Sequence, residues 1–365
     1  MSTHYTIPFF VLHKGCPFRC IFCDQKNITG QEGDLPSDIA KTIDKYLKTI
    51  DAKDADIEVG FFGGTFTGID PEKQLEYLRP VKTYIEKGIV KGIRLSTRPD
   101  FIDEKKLKLL KSNGVVCIEL GVQSVSDKVL SAAKRGYAFQ DIKTASKMIK
   151  DLGFDLVHQI MLGLPLSTWE DEYLSARIAK DMGAKEARIY PTVVIKGTEL
   201  ADRWQKKEYV PLTEKEAVKR SAKLILYFET NGIKVIRCGL HPSRDLLSGE
   251  SILDGPFHTA FRLKAESLIF RFMLEHIGSK IGEKRTEVKL FYSPRDEAAF
   301  YGFEKKNMSL IEKICGTKRS MTGKDDSLAR GNILVISNGE KWIVTREDIV
   351  SFVLQELKGH PPLLS

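Results

Sequence analysis

Short β-rich segments alternate with amphipathic helical segments from Thr6 to about Leu240 of this 365-residue chain. Strands joined in turn by helices build a parallel sheet with the helices outside it, so the alternation predicts an α/β fold. Six βα units are too few for a closed eight-stranded barrel, and we therefore predict a partial (β/α)6 barrel. The predicted strands are 6–13, 56–63, 92–97, 115–122, 155–162 and 186–194, with an extra edge at 234–239.

Several helical segments between these strands have recognisable N-termini. Asp103, Ser167 and Thr213 each precede a helical pattern and are expected to cap it, because their side-chain oxygens can accept a hydrogen bond from the first turn. The predicted helices are 37–50, 71–87, 104–112, 140–152, 169–182 and 214–230.

The pattern changes after His241. Ser337-Asn338-Gly339 between two β-rich runs predicts a hairpin. We therefore predict two domains, a core barrel at 1–240 and a small C-terminal α+β domain at 241–365. The predicted C-terminal elements are a helix at 261–277, a strand at 287–293, a helix at 309–315, the hairpin strands 332–336 and 341–345, and a closing helix at 346–357.

The composition is that of an ordinary folded protein, with 42% hydrophobic and 29% charged residues. No apolar run approaches the roughly 18 residues that span a bilayer, and the N-terminus lacks a signal-peptide pattern, so we expect a cytoplasmic protein without a membrane partner. Three of the six cysteines are clustered and the others are far apart, which predicts reduced thiols. The net charge of +8 favours polyanionic partners only mildly.

Cys16, Cys20 and Cys23 follow the first predicted strand, in the run Lys-Gly-Cys-Pro-Phe-Arg-Cys-Ile-Phe-Cys. Three thiolates can bind three corners of a cubic [4Fe-4S] cluster and leave the fourth iron open to a ligand. Zinc with His13 as a fourth ligand is the alternative, but zinc sites usually combine two separated Cys-x2-Cys pairs, and none follows downstream. A zinc-stabilised binding protein without turnover thus stays open as a hypothesis of another class.

Polar residues and glycines mark the ends of the other predicted strands, where barrels of this type keep their sites. Gly63 and Gly64 would let the backbone approach a ligand closely. Each polar side chain could instead be satisfied by a neighbour inside the barrel, yet together they predict a polar lining for a charged cofactor. These side chains are Ser96, Arg98, Glu119, Gln123, His158 and Gln159.

Several blocks, in order, resemble the radical S-adenosylmethionine (radical SAM) superfamily, and within it the radical domain of the elongator catalytic subunit. The resemblance covers about residues 10–240, and a looser one links the chain to oxygen-independent coproporphyrinogen oxidase. Besides the cysteine motif, the blocks are Gly-Gly-Thr-Phe-Thr at 63–67, Thr-Arg-Pro-Asp at 97–100, Glu119 with Gly-Val-Gln-Ser at 121–124, Lys-Arg-Gly at 134–136, and Tyr-Pro-Thr at 190–192 followed by Lys-Gly-Thr at 196–198.

The resemblance implies a radical SAM barrel that binds a [4Fe-4S] cluster and S-adenosylmethionine, forms a 5′-deoxyadenosyl radical and abstracts hydrogen from a substrate. Arg135 is expected to pair with the cofactor carboxylate, because a guanidinium suits that anion. Phe22 is expected to pack on adenine or to be a core aromatic, and Tyr190 to be a radical relay, a substrate contact or a packing residue. The implied cofactor contacts are Phe22, Gly63, Gly64, Thr65, Ser96, Arg98, Glu119, Gln123, Arg135 and Gln159.

Departures from the elongator pattern leave the substrate open. The longer loop between the first two cysteines, the tRNA-binding N-terminal extension and the acetyltransferase domain are not evident, so we do not expect acetyl transfer to wobble uridine. A nucleoside in RNA, as in tRNA modification, is the first substrate hypothesis, and a small molecule such as a tetrapyrrole is the second. Lys305-Lys306-Asn307 beside Phe300, Tyr301 and Phe303 is a candidate RNA contact. A reductant such as flavodoxin or ferredoxin is the other expected partner.

Overall fold

The computed structural model describes residues 3–11, 16, 20–24, 33–50, 55–281, 287–315 and 321–354. The chain forms two compact units, which we call the barrel unit (Met1–Leu212 with Leu240–Pro256) and the C-terminal unit (Thr213–Gly239 with Phe257–Ser365). These units interleave along the sequence, whereas the predicted domains divide at residue 240. The predicted domain division stays a prediction.

Parallel strands and helices alternate through the barrel unit. The elements are β1 (Thr3–Phe10), α1 (Ile39–Leu47), β2 (Ala55–Phe62), α2 (Pro71–Glu86), β3 (Gly92–Thr97), α3 (Glu104–Ser112), β4 (Val115–Gln123), α4 (Asp127–Ala132), α5 (Phe139–Asp151), β5 (Asp155–Leu162), α6 (Trp169–Asp181), β6 (Glu186–Pro191), β7 (Val194–Ile195) and α7 (Glu199–Gln205).

The first six strands are arranged in sequence order, and each pairs in parallel with the next. β1 is at an edge of the sheet, so the barrel does not close. All but one residue of β4 are buried, as expected for a parallel strand with both faces covered. The predicted partial (β/α)6 barrel is confirmed, and the carboxyl ends of its strands lie along one edge.

The remaining elements begin at residue 214. The C-terminal unit contains all of them except α9 and β9, and β9 pairs antiparallel with β7 inside the barrel unit. They are α8 (Glu214–Thr230), β8 (Lys234–Cys238), α9 (Arg244–Leu247), β9 (Ile252–Asp254), α10 (Phe261–Ile281), β10 (Val288–Tyr292), α11 (Glu297–Tyr301), α12 (Met308–Cys315), β11 (Thr322–Lys324), β12 (Ile333–Ser337), β13 (Glu340–Val344) and α13 (Arg346–Val353).

The C-terminal unit has a four-stranded sheet in the order β11-β10-β12-β13, and helices precede and follow its strands along the sequence. The predicted hairpin is confirmed as β12 and β13, joined by Asn338 and Gly339 at φ of +52° and +83°. Two successive positive φ angles are typical of a type I′ turn, which matches the twist of the flanking strands. The predicted α+β appendage is thereby confirmed.

Helix capping follows the sequence at two of the three predicted positions. The side chains of Asp103 and Thr213 accept hydrogen bonds from the first turns of α3 and α8. The prediction for Ser167 is wrong, since Thr168 caps α6 and forms a capping box with Asp171. None of the helices in the described ranges is long and apolar enough to cross a membrane.

Candidate functional site

The loop that carries the second and third clustered cysteines is fixed by backbone hydrogen bonds. Ile21 N–H donates to Ala133 O at 3.3 Å, and Ile21 O accepts from Leu200 N–H at 2.8 Å. Cys23 N–H donates to Cys20 O at 3.0 Å and closes a turn between the two cysteines. These bonds anchor the loop to the first turn of α7 and to the residue that follows α4.

Two arginines lie beside Cys20. Arg135 Nη1 is 3.0 Å from Cys20 Sγ, and Arg98 Nη1 is 4.0 Å from the same sulfur. Arg98 also binds both carboxylate oxygens of Asp100, at 2.9 and 2.8 Å. Both arginines are buried. The predicted site residues Cys20, Arg98 and Arg135 therefore lie together, around one sulfur atom.

The side chain of Cys16 contacts the segment that follows β2. Its Sγ is 2.9 Å from the hydroxyl of Thr65, which is fully buried. Thr65 follows Gly63 and Gly64, which have φ angles of +73° and +90°. Glycine adopts this left-handed region without the strain that a Cβ would add, so the glycine pair turns the chain towards Cys16.

Cys16 and Cys23 favour their protonated form in this protein environment. Burial raises the pKa of Cys16, and it raises the pKa of Cys23 to about 12. The positive charges of Arg98 and Arg135 oppose this effect at Cys16. A metal would therefore have to displace protons as it binds. Three thiols beside two buried guanidinium groups fit a thiolate-held iron–sulfur cluster, because thiolates are its ligands and the cations balance their charge.

Within the described ranges, no three His, Cys, Asp or Glu residues form a group that could hold a metal ion. His13, the fourth ligand of the zinc hypothesis, lies outside the described residues. In a cubane each thiolate binds a different iron, so three cysteines can hold an iron–sulfur cluster without converging on a single metal ion.

Glu119 is the centre of an ionic network inside the barrel. It is fully buried, and its carboxylate lies 2.7 Å from Arg188 Nε and 3.1 Å from Arg94 Nη1. Gln159 Nε2 donates to Glu119 Oε2 at 3.0 Å and to Ser96 Oγ at 3.2 Å. Burial alone would raise the pKa of Glu119, but Arg188 and Arg94 outweigh it and hold this pKa below its usual value. Three side chains of the predicted polar lining, Ser96, Glu119 and Gln159, thus form a connected network around an ionised carboxylate.

Two buried polar atoms at strand ends have no hydrogen-bond partner among the described residues. They are Gln123 Oε1 at the end of β4 and Thr192 Oγ1 just after β6. Gln123 also has a φ of +62°, which is unusual for a residue with a side chain. Buried polar atoms are normally paired, so these two fit positions that a polar cofactor or substrate would satisfy. Thr192 was part of a resemblance block but was not predicted as a site residue.

Phe22 belongs to one buried apolar cluster with Cys20, and Cys23 and Tyr190 pack against it. Phe22 is 9% exposed, and the guanidinium carbon of Arg135 is 6.0 Å from its ring centroid. This burial fits its role as a core aromatic, while contact with adenine stays a prediction. Tyr190 is half-buried.

The prediction that His158 lines the barrel is wrong. His158 Nε2 lies 3.0 Å from Ser146 Oγ on α5, while its neighbour Gln159 faces Glu119. Successive side chains of a strand point to opposite faces, so only one of the two can face the interior. Burial lowers the pKa of His158 to about 4. His158 is a neutral residue packed between the sheet and a helix.

Arg188 and Tyr137 were missed by the sequence reasoning. Arg188 lies on β6 with Tyr190, and its Nη1 is 3.5 Å from the tyrosine hydroxyl. The alternation Glu186-Ala-Arg-Ile-Tyr190 was a signal, since it places three polar residues on one strand face. Tyr137 directly follows the Lys-Arg-Gly block, and Arg135 Nε donates to its hydroxyl at 2.9 Å.

The candidate RNA contact in the C-terminal unit is only partly exposed. Phe300 and Asn307 are buried, and the Asn307 amide donates to Ser267 O at 3.0 Å. These two residues therefore cannot stack on bases or contact phosphate. Lys305 and Lys306 are exposed.

The model of the Radical SAM superfamily matches residues 10–178, and that of the Radical_SAM C-terminal domain matches residues 184–269. The tRNA uridine(34) acetyltransferase of Methanocaldococcus jannaschii is 29% identical over 244 residues, which cover 56% of this chain and 45% of the relative. Elongator complex protein 3 of Homo sapiens is 27% identical over 192 residues, covering 46% of this chain and 35% of the relative. The chain thus spans about half or less of the length of these curated relatives.

Among solved structures, the archaeal Methanocaldococcus infernus Elp3 superposes with a TM-score of 0.59 at 22% identity, covering 76% of this chain and 64% of that one. At this identity the likeness shows a shared fold. The resemblance found in the sequence blocks is confirmed, because two adjoining family models and the fold lead to the same superfamily. The chain belongs to the radical SAM superfamily of enzymes.

Proposed function

We propose that this protein binds a [4Fe-4S] cluster through Cys16, Cys20 and Cys23, binds S-adenosylmethionine beside it, and abstracts hydrogen from a nucleoside in tRNA. The observation that carries the proposal is the placement of Cys20, two buried arginines and the Cys16–Thr65 pair at the carboxyl ends of the barrel strands. This edge is where barrel enzymes place their sites. In this proposal residues 1–240 carry out the chemistry.

When bound, the cluster and S-adenosylmethionine supply one-electron chemistry that releases methionine and yields a 5′-deoxyadenosyl radical. The chain's residues bind and orient. Gly63 and Gly64 give a polar ligand access to backbone groups, because no side chains stand in the way. The unpaired Gln123 Oε1 offers an acceptor for an ammonium or hydroxyl group. Glu119 keeps negative charge inside the barrel and holds Gln159 in place.

The substrate class rests on the relatives, which include a tRNA uridine(34) acetyltransferase. Only their radical-domain part is similar to this chain, so a nucleoside in tRNA is the proposed substrate and acetyl transfer is not proposed. A low-potential reductant such as flavodoxin or ferredoxin is the proposed electron donor, and the cytoplasm is the proposed compartment.

Anaerobic reconstitution tests the cofactor part of the proposal. The wild-type protein is expected to bind iron and sulfide in equal amounts and, with dithionite, to form 5′-deoxyadenosine from S-adenosylmethionine. Cys20→Ala should lose both properties, because one corner of the cluster loses its ligand. Cys117→Ala is the matched control, since Cys117 is a buried cysteine of β4 outside the motif. Zinc without sulfide in the wild-type protein would support the zinc-stabilised binding protein instead.

Comparative profiling tests the substrate part. Digested tRNA from cells with and without the gene is expected to differ in one modified nucleoside. Identical nucleosides combined with an altered small-molecule pool, for example of tetrapyrroles, would replace the RNA hypothesis by the second one.

A further inference from the structure

Each of the three guanidinium nitrogens of Arg135 donates a hydrogen bond to the protein around it. Nη1 donates to Cys20 Sγ at 3.0 Å, Nη2 donates to Gly121 O at 2.9 Å, and Nε donates to the Tyr137 hydroxyl at 2.9 Å. All three nitrogens thus have an acceptor, and these acceptors lie on three different segments of the barrel unit. The sulfur of Cys20 is one of the three.

The surrounding residues fix this arrangement. The Tyr137 hydroxyl donates in turn to Gly121 O, and Arg98 Nη2 donates to the backbone carbonyl of Arg135. Arg135 is only 6% exposed. The resemblance implies that Arg135 pairs with a cofactor carboxylate. Such a pair would use the N–H groups that remain, or it would require the guanidinium to turn away from its present partners. Turning away would break three buried hydrogen bonds, which is costly.

We propose that Arg135 is a positioning residue that donates a charge-assisted hydrogen bond to Cys20 Sγ and thereby raises the reduction potential of the cluster. This inference rests on the proposed function, because it requires a cluster on Cys20. Hydrogen bonds to the sulfur ligands and the nearby charge both set the potential of iron–sulfur clusters. Reduction by one electron from the external donor adds a negative charge to the cluster. A fixed cation 3.0 Å from one ligand stabilises that reduced state more than the oxidised one.

The test is an EPR-monitored redox titration of the reconstituted full-length protein. In Arg135→Gln, the ratio of reduced to oxidised cluster at a fixed potential should fall by about tenfold, equivalent to about 59 mV for one electron. Arg135→Lys keeps the charge but loses the fork, so its midpoint potential should lie between those of Arg135→Gln and the wild type. Arg203→Gln is the matched control, since Arg203 lies on α7 and contacts Ala132 O and Glu199 rather than a cysteine.

The outcomes separate this inference from the proposed function. A wild-type protein without iron and sulfide would overturn both. A loaded wild type with the same midpoint potential as loaded Arg135→Gln would overturn the inference alone, and so would an equal shift in Arg203→Gln. If Arg135→Gln does not load, Tyr137→Phe decides, because it removes one of the bonds that orient the guanidinium. A smaller shift to lower potential is expected there, and an unchanged potential would contradict the inference.

Discussion

Replacement of Glu119 by glutamine should destabilise the protein far more than the same change at Glu186. Both carboxylates contact Arg94, at 3.1 and 3.2 Å, but the Glu119 side chain is fully buried and that of Glu186 is 20% exposed. In Glu119→Gln, Arg188 loses its carboxylate partner among the described residues. An uncompensated buried charge of this kind costs about 3–5 kcal/mol, whereas a partly exposed pair is worth less than about 1 kcal/mol.

The free energy of unfolding, from urea denaturation of the cluster-free protein, measures this difference. Glu119→Gln should lower it by about 3 kcal/mol or more, and Glu186→Gln by less than about 1 kcal/mol. The double variant Glu119→Gln/Arg188→Met should recover part of the loss, because it removes the charge that the single change leaves unpaired. Equal effects of the two single variants, or no recovery in the double variant, would refute the claim that burial decides the strength of this network.

Three further predictions concern single residues. Burial lowers the pKa of His158 from 6.5 to about 4, so the unfolded chain takes up a proton at a higher pH than the folded protein does. The free energy of unfolding should therefore fall by roughly 3 kcal/mol as the pH falls from about 6.5 to about 4. Denaturation at a series of pH values should show a flatter dependence for His158→Gln. Gly64→Ala should lower the free energy of unfolding by about 1 kcal/mol and weaken S-adenosylmethionine binding in equilibrium dialysis. Gly88→Ala is the control, because Gly88 also has a positive φ and a Cβ there would meet open space, so this variant should lose stability but not affinity. Equal affinities of the two variants would contradict this prediction. Tyr190→Phe should still form 5′-deoxyadenosine but turn over less substrate, and unchanged turnover would assign Tyr190 to packing.

The sequence predicts the barrel well because the parallel strands leave a strong local signal. Buried β-rich runs recur between amphipathic helices, and Asn338-Gly339 is a strong hairpin signal. Capping at α6 was ambiguous, because Ser167 and Thr168 are each followed three residues later by an acidic residue. The β7 and β9 strands were missed since they have only two and three residues. Local patterns cannot specify such short pairings.

The sequence also predicts which residues gather at the site, but not their partners. Cys20 lies beside Arg98 and Arg135, and all three residues belong to the sequence motifs from which the site was predicted. The contact of Arg135 with the sulfur depends on how the segment after α4 packs against the cysteine loop, and this is a long-range feature. His158 could have been assigned correctly from strand alternation alone, given that Gln159 faces inward.

The most direct test of the account is EPR spectroscopy of the reconstituted, dithionite-reduced protein before and after addition of S-adenosylmethionine. Three cysteine ligands would leave one iron open, so the spectrum of a reduced [4Fe-4S] cluster should appear and change when the cofactor binds that iron. A cluster spectrum that does not respond to S-adenosylmethionine, or no cluster spectrum at all, would contradict the account.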